Sequence, residues 1–177
     1  MKVEVVKYNP EWSEIYNSEK VKLNESLGGL IKSIHHIGST SIPGLAAKPI
    51  IDIIIEVCSL DTLDNSIPVM ESLGYEVKGE FGIPGRRYYR KGGSNRTHQI
   101  HAFKVGDANI KRHIAFRDYL KSHPDVMLEY ASLKMALAKR FDNDVDGYCD
   151  GKDDFVKHHE SKAIEWLNNT NNQARSS

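Results

Sequence analysis

Cysteine is scarce in this chain. Cys58 and Cys149 are the only two in 177 residues, with no CxxC pair and no cysteine–histidine zinc spacing. That excludes a disulfide framework and a structural zinc domain. Without a signal peptide, both are expected to be reduced thiols in a cytoplasmic protein. Charge of one sign is missing too, since 24 Lys and Arg face 24 Asp and Glu for a formal net charge of zero. A general nucleic-acid coat or a membrane-surface protein is thereby disfavoured, and only a local basic patch remains open. No apolar run approaches the roughly 20 residues that a bilayer crossing needs. There is no internal repeat, and the length suits one domain with a sizeable core. Its extent is expected to be residues 1–167, with 168–177 a polar, frayed tail.

The apolar spacing gives the order of elements. Val3 to Lys7 alternates weakly, as a short edge strand would. Asn9-Pro10 reads as an N-cap and first helical residue, and Trp12, Ile15, Tyr16, Leu23 and Leu27 keep helical period up to Gly28-Gly29. Strands are expected over 31–37 and 50–57, the second buried on both faces because its apolar run is unbroken. A helical stretch over 61–73 must break or restart at Pro68. Short strands follow at 74–77, 86–91 and 97–104, with a glycine-rich loop at 79–85. The rest is helical, over 109–121, from Pro124 to Phe141, and over 153–167. The expected fold is α+β, a mixed β-sheet core flanked by helices with a helical C-terminal third at about 108–167.

The stretch from His36 to Glu56 carries the chemistry. Gly38-Ser-Thr-Ser41 offers backbone N–H groups and hydroxyls of the kind that hold phosphate oxygens, although a plain tight turn would look the same. It is not a P-loop, because the Lys-Ser/Thr ending is missing and a strand follows. Asp52 sits just inside the buried strand, where a carboxylate must be hydrogen-bonded or hold a metal. By strand parity Asp52, Ile54 and Glu56 share a face. Asp52 and Glu56 are about 13 Å apart along it, too far to share a pair of metals. Ile54 occupies the place of a second acid, and Glu56 is expected in solvent. His98 and His101 lie three apart on one strand and converge only across a bulge. Lys48 precedes the buried strand. Lys134 borders the helical stripe of Tyr130, so its ammonium either faces a cleft or snorkels to solvent. Arg86, Arg87, Arg90, Lys91 and Arg96, interleaved with Tyr88 and Tyr89, form either a nucleic-acid surface or a solvated hairpin.

Several segments together resemble the GrpB family, which is placed in the nucleotidyltransferase-fold superfamily. They are Asn9-Pro-Glu-Trp12, His36 through Asp52, Arg96-Thr-His-Gln-Ile-His101, His113 through Leu120, Tyr130-Ala-Ser-Leu-Lys134, and Tyr148 with Lys152. The resemblance implies a nucleotidyltransferase-like core and a transferase-type site built on a Gly-Ser pair followed by acids on two strands. Gly38-Ser39 and Asp52 match, with twelve residues between, whereas Ile54 replaces the second acid and His101 or His98 stands where the third is expected. The implied function is binding of a nucleotide or phosphorylated small molecule, with activity as a nucleotidyltransferase left open. Asp52 and His101 would be catalytic. Gly38, Ser39, Thr40, Ser41, Lys48, Arg117 and Lys134 would bind phosphate. Asp52, His98 and His101 would hold a divalent metal (Mg, or with imidazole ligands Mn or Zn). Two alternatives stand beside this: a non-catalytic accessory module linked to coenzyme A metabolism, since GrpB-like segments occur fused to dephospho-coenzyme A kinase, and an RNA-binding protein.

Overall fold

The computed structural model describes residues 2–176. Helix α1 (Glu11–Leu27) leads into strand β1 (Ile31–Ile37), and β2 (Ile51–Val57) follows a loop. Two short helices, α2 (Leu60–Asp64) and α3 (Ile67–Ser72), precede β3 (Tyr75–Val77), β4 (Arg87–Lys91) and β5 (His98–Lys104). Three helices close the chain: α4 (Ala108–Ser122), α5 (Pro124–Arg140) and α6 (Val145–Ser176). The five strands form one sheet in the order β1-β2-β5-β4-β3, with β2 and β5 parallel and the other neighbours antiparallel.

Parity on β2 divides the molecule into its layers. Ile51, Ile53, Ile55 and Val57 point to one face, where Trp12, Leu23 and Leu27 of α1 cover them together with Leu63 and Met70. Each such isoleucine contributes about 1.5–3 kcal/mol by leaving water. The opposite face carries Asp52, Ile54 and Glu56. There Ile54 is fully buried with Ile37, Phe103 and Ile110 of α4. An acid at position 54 would be locked under α4 with no water, which is the physical reason the second carboxylate has no place here.

Three expectations need correction. The N-terminal segment makes a single bridge, Val6 to Ala47, and no regular strand. Glu56 is half-buried and bonded to His35 rather than solvated. The last helix is longer at both ends, beginning at Val145 and running through the supposed tail to Ser176. After Gly151 that segment holds no Pro or Gly, so nothing in it breaks a helix, although its last turns are exposed. The early start matters more, because it places Tyr148 and Lys152 on a helix facing α5.

Candidate functional site

The site begins where β1 runs out. Gly38 turns the chain with φ 72° into a single 3-10 turn, Ser39–Ser41. A Cβ at position 38 would lie 2.8 Å from Asp52 Oδ2, so glycine is required by both backbone and space. Ser41 donates its backbone N–H and its hydroxyl to the Gly38 carbonyl, which makes it a brace of the turn and not a phosphate contact. Thr40 is buried and its hydroxyl meets His36 Nε2 at 2.9 Å. His36 in turn stacks on Tyr16 with ring centroids 4.6 Å apart. Burial pushes its pKa down to about 4, so it sits neutral under the loop. The Ser39 side chain meets the Tyr130 hydroxyl, and Gly38 with the Ser39 backbone remains to face a ligand.

Asp52 is held from one side. Parallel pairing of β2 with β5 sets Gln99 and His101 on its face of the sheet. With the Gln99 amide oriented to satisfy both of its neighbours, Asp52 Oδ1 accepts from the Gln99 nitrogen at 2.9 Å, and it accepts from His101 Nε2 at 3.3 Å. Arg86 Nη1 lies 3.3 Å from His101 Nδ1. A guanidinium can only donate, so Nδ1 is the acceptor and the ring proton is on Nε2, directed at Asp52. Arg86 is itself buried and anchored to the Glu80 and Phe81 carbonyls at 3.2 and 2.8 Å. Both nitrogens of His101 are therefore engaged. It has no lone pair for a metal or for a substrate proton, and its expected catalytic and metal roles give way to positioning Asp52. Asp52 Oδ2, beside Gly38, is left open.

His98 does not join this site. Its ring points to the α1 face, with Nε2 3.8 Å from Glu19 Oε2 and Nδ1 2.8 Å from the Thr97 hydroxyl. No bulge interrupts the β2–β5 register, so residues 98 and 101 keep opposite faces. Among the described residues no group of three or more His, Cys, Asp or Glu side chains is placed to hold a metal ion. A two-metal site built on protein carboxylates does not fit this donor set.

Positive charge collects there instead. A cavity of about 150 Å³ is lined by Ser39, Thr40, Asp52, Gln99, Tyr148 and three lysines, Lys48, Lys134 and Lys152. The lysines come from the β1–β2 loop, α5 and α6, and none forms a salt bridge among the described residues. Lys48 and Lys152 both lie over the Tyr148 ring, at 5.2 and 5.0 Å, and Lys134 lies over Tyr130 at 4.7 Å. Lys134 is only 2 % exposed. Desolvation first, then Lys152 and Lys48, push its pKa well below the usual lysine range. Lys152 is lowered in the same way by burial and by Lys48. Close approach of α6 to α5 brings them together: a Cβ at Gly151 would stand 2.5 Å from Leu137. An adjoining cavity of about 180 Å³ shares Ser39, Asp52 and Lys152 and adds Ile42, Phe116, Tyr130 and Val156.

Other expected residues lie elsewhere or are occupied. Arg117 lines the second cavity, where its Nη1 holds the His36 carbonyl at 3.1 Å and its Nε donates to Asp118 at 2.9 Å. Apart from Arg96, the basic hairpin is spent internally. Arg87 pairs with Asp64, Lys91 with Glu19, and Arg90 stacks on Phe81 and Tyr88. Sequence reasoning did not select Lys152, Tyr148, Gln99 or Arg86 for the site. Their signal was their place in the family-like segments, which include Gln99, Tyr148 and Lys152 but not Arg86.

Comparison with known proteins bears on the family and the fold. The model of the family described as GrpB protein matches residues 2–162. UPF0157 protein YqkA of Bacillus subtilis is 47% identical over 171 residues, covering 97% of this chain and 50% of its own length. The chain thus spans about half of that relative. Dephospho-CoA kinase of Mycolicibacterium paratuberculosis is 24% identical over 193 residues, covering 95% of this chain and 47% of the kinase. Among solved structures, conserved protein GrpB from Enterococcus faecalis superposes with a TM-score of 0.90 at 40% identity, covering 93% of this chain and 99% of that one. The Cid1 poly(U) polymerase bound to MgATP superposes at 0.52 and 13% identity over 77% of this chain and 44% of its own. That last likeness is one of fold alone. Among the described residues no helix is long and apolar enough to cross a membrane.

Proposed function

The chain belongs to the GrpB family, and from that premise we propose that it binds the polyphosphate chain of a nucleotide between the Gly38 turn and the α5–α6 lysines. One observation carries the reading. Three lysines on three separate elements face one small cavity, and among the described residues the only carboxylate lining it is Asp52. Unpaired charges of one sign are costly to hold together unless a ligand of the opposite sign is bound for part of the cycle. A phosphate chain matches them in charge and supplies acceptors for the turn's backbone N–H groups. The nucleoside would extend into the adjoining cavity against Phe116 and Tyr130.

Asp52 is the residue for chemistry. In nucleotidyl transfer, an acceptor hydroxyl oxygen bonds to the α-phosphorus while the bond to the bridging oxygen breaks and pyrophosphate leaves. The hydroxyl proton passes to Asp52 Oδ2, the oxygen that neither Gln99 nor His101 occupies. Lysine charge would offset the growing negative charge on the leaving phosphates. A divalent cation would come as the nucleotide's own complex, held by the phosphates.

The missing second acid favours a second reading, binding without turnover, as an accessory module in coenzyme A chemistry would need. The two readings separate in one set of measurements. Inorganic tripolyphosphate and ATP should each raise the melting temperature of the full chain, with EDTA present, and Lys134→Met should remove the rise. Failure of both ligands to shift it overturns the binding reading. If binding holds, pyrophosphate release from nucleoside triphosphates that disappears in Asp52→Asn supports transfer, and its absence from the wild type supports the accessory module.

A further inference from the structure

A third cavity opens beside the lysine site and shares Lys48 and Ile50 with it. Its volume is about 340 Å³, and Lys2, Glu4, Pro49, Ser94, Asn95, Arg96 and Thr97 complete its lining. Three cations stand there against the single acid Glu4. Arg96 is the unusual member: its Nε is fully buried and has no hydrogen-bond partner. That N–H is closed to solvent, so an oxyanion in the cavity would be met by the outer nitrogens of the same charged guanidinium. Arg96 also reaches the reacting carboxylate. Its Nη1 donates to the Gln99 oxygen at 3.0 Å, while the Gln99 nitrogen donates to Asp52 Oδ1 at 2.9 Å. The side chain that would seat an anion in the third cavity is thus one amide removed from Asp52.

We propose that this cavity is a second anion subsite, and that the molecule receiving the transferred group is a small hydroxyl compound carrying a phosphate. The word "receiving" rests on the transfer reading above; the subsite itself does not. Arg96 and Lys2 take the phosphate from two sides, and Ser94 and Thr97 offer hydroxyl donors. Lys48 stands between the two anions and shields one from the other. The cavity suits a molecule of sugar-phosphate size, and the lining it shares at Lys48 and Ile50 puts the hydroxyl end next to the lysine cavity that Asp52 lines.

Phosphorus NMR on the full chain tests this with two probes whose signals are resolved, inorganic tripolyphosphate and inorganic orthophosphate. Orthophosphate should still broaden when the lysine site is saturated with tripolyphosphate. Arg96→Gln should weaken orthophosphate binding about tenfold, one charge-assisted pair, and leave tripolyphosphate unchanged. Lys134→Met should do the reverse. Orthophosphate that is fully displaced by tripolyphosphate, or that binds equally to Arg96→Gln, overturns the second subsite while the lysine site stands. Loss of tripolyphosphate binding in the wild type overturns the lysine site, and orthophosphate then reports on Arg96 alone.

Discussion

Asp52 takes its hydrogen bonds on one oxygen and keeps the other beside Gly38, and that asymmetry follows from three side chains. Gln99 and His101 come from the neighbouring parallel strand, and Arg86 fixes which nitrogen of His101 carries the proton. Nitrogen-correlated NMR of the imidazole should therefore find the Nε2–H tautomer at His101. Arg86→Gln should let both tautomers appear while the sheet's amide spectrum is kept. An Nδ1–H ring in the wild type would contradict the assignment of Asp52's donors. Gly38 is as specific. Alanine there must adopt φ near 72° with its Cβ 2.8 Å from Asp52 Oδ2. Gly38→Ala should cost about 1–3 kcal/mol of stability in a denaturant melt and displace the open oxygen.

At the scale of elements, the helices α5 and α6 decide whether the lysines meet. Gly147 and Gly151 lie one turn apart on α6, and a Cβ on either would stand 2.5 Å from α5 or the turn that follows it, at Phe141 or Leu137. Gly151→Val should push the pair apart, lower the melting temperature by several degrees, and weaken tripolyphosphate binding more than stability alone explains. Unchanged affinity in a folded Gly151→Val protein would mean that Lys152 takes no part. This closeness was not legible beforehand, because glycines in a polar stretch read as a break and not as a contact face. The strands were legible. Alternation and apolar runs located β1, β2, β4 and β5, and parity placed Asp52 and Ile54 on one face. Parity likewise showed that His98 and His101 diverge on a regular strand, and β5 is regular. Long-range partners could not be read. Nothing in the spacing of Arg86 and His101 signals that one orients the other, and nothing in Lys48, Lys134 and Lys152 shows that one cavity gathers them.

For the whole molecule, buried bases set the response to pH. Burial pushes His36 to about 4, and desolvation with Arg112 and His101 pushes His113 to about 3. Both rings titrate near 6.5 when unfolded, so the unfolded chain binds more protons below that pH. Stability contributed by these rings is present above pH 6.5 and is lost as pH falls toward 4 and 3. At 1.36 kcal/mol per unit, the loss is on the order of 3–5 kcal/mol for each. Urea melts from pH 7.5 to 4 should show it, and His36→Phe should shrink it. Lys134 acts in the same sense in a higher window. Its folded pKa lies below the unfolded 10.5, so stability of the ligand-free chain rises with pH between the two. Lys134→Met removes the buried cation and should stabilise the ligand-free chain by about 1–4 kcal/mol while abolishing polyphosphate binding.

That linkage also gives the most direct test of the lysine site. An anion in the cavity favours the charged form of Lys134 and Lys152, so binding must draw protons from solution whenever either lysine is partly neutral beforehand. Calorimetric titration of the full chain with inorganic tripolyphosphate at several pH values below 10.5, in two buffers of different ionisation enthalpy, measures this uptake. The site described here predicts binding, a net uptake of protons wherever the free lysines are partly neutral, and loss of both in Lys134→Met. Binding with no proton uptake, or binding that survives Lys134→Met unchanged, would place the anion elsewhere on the molecule.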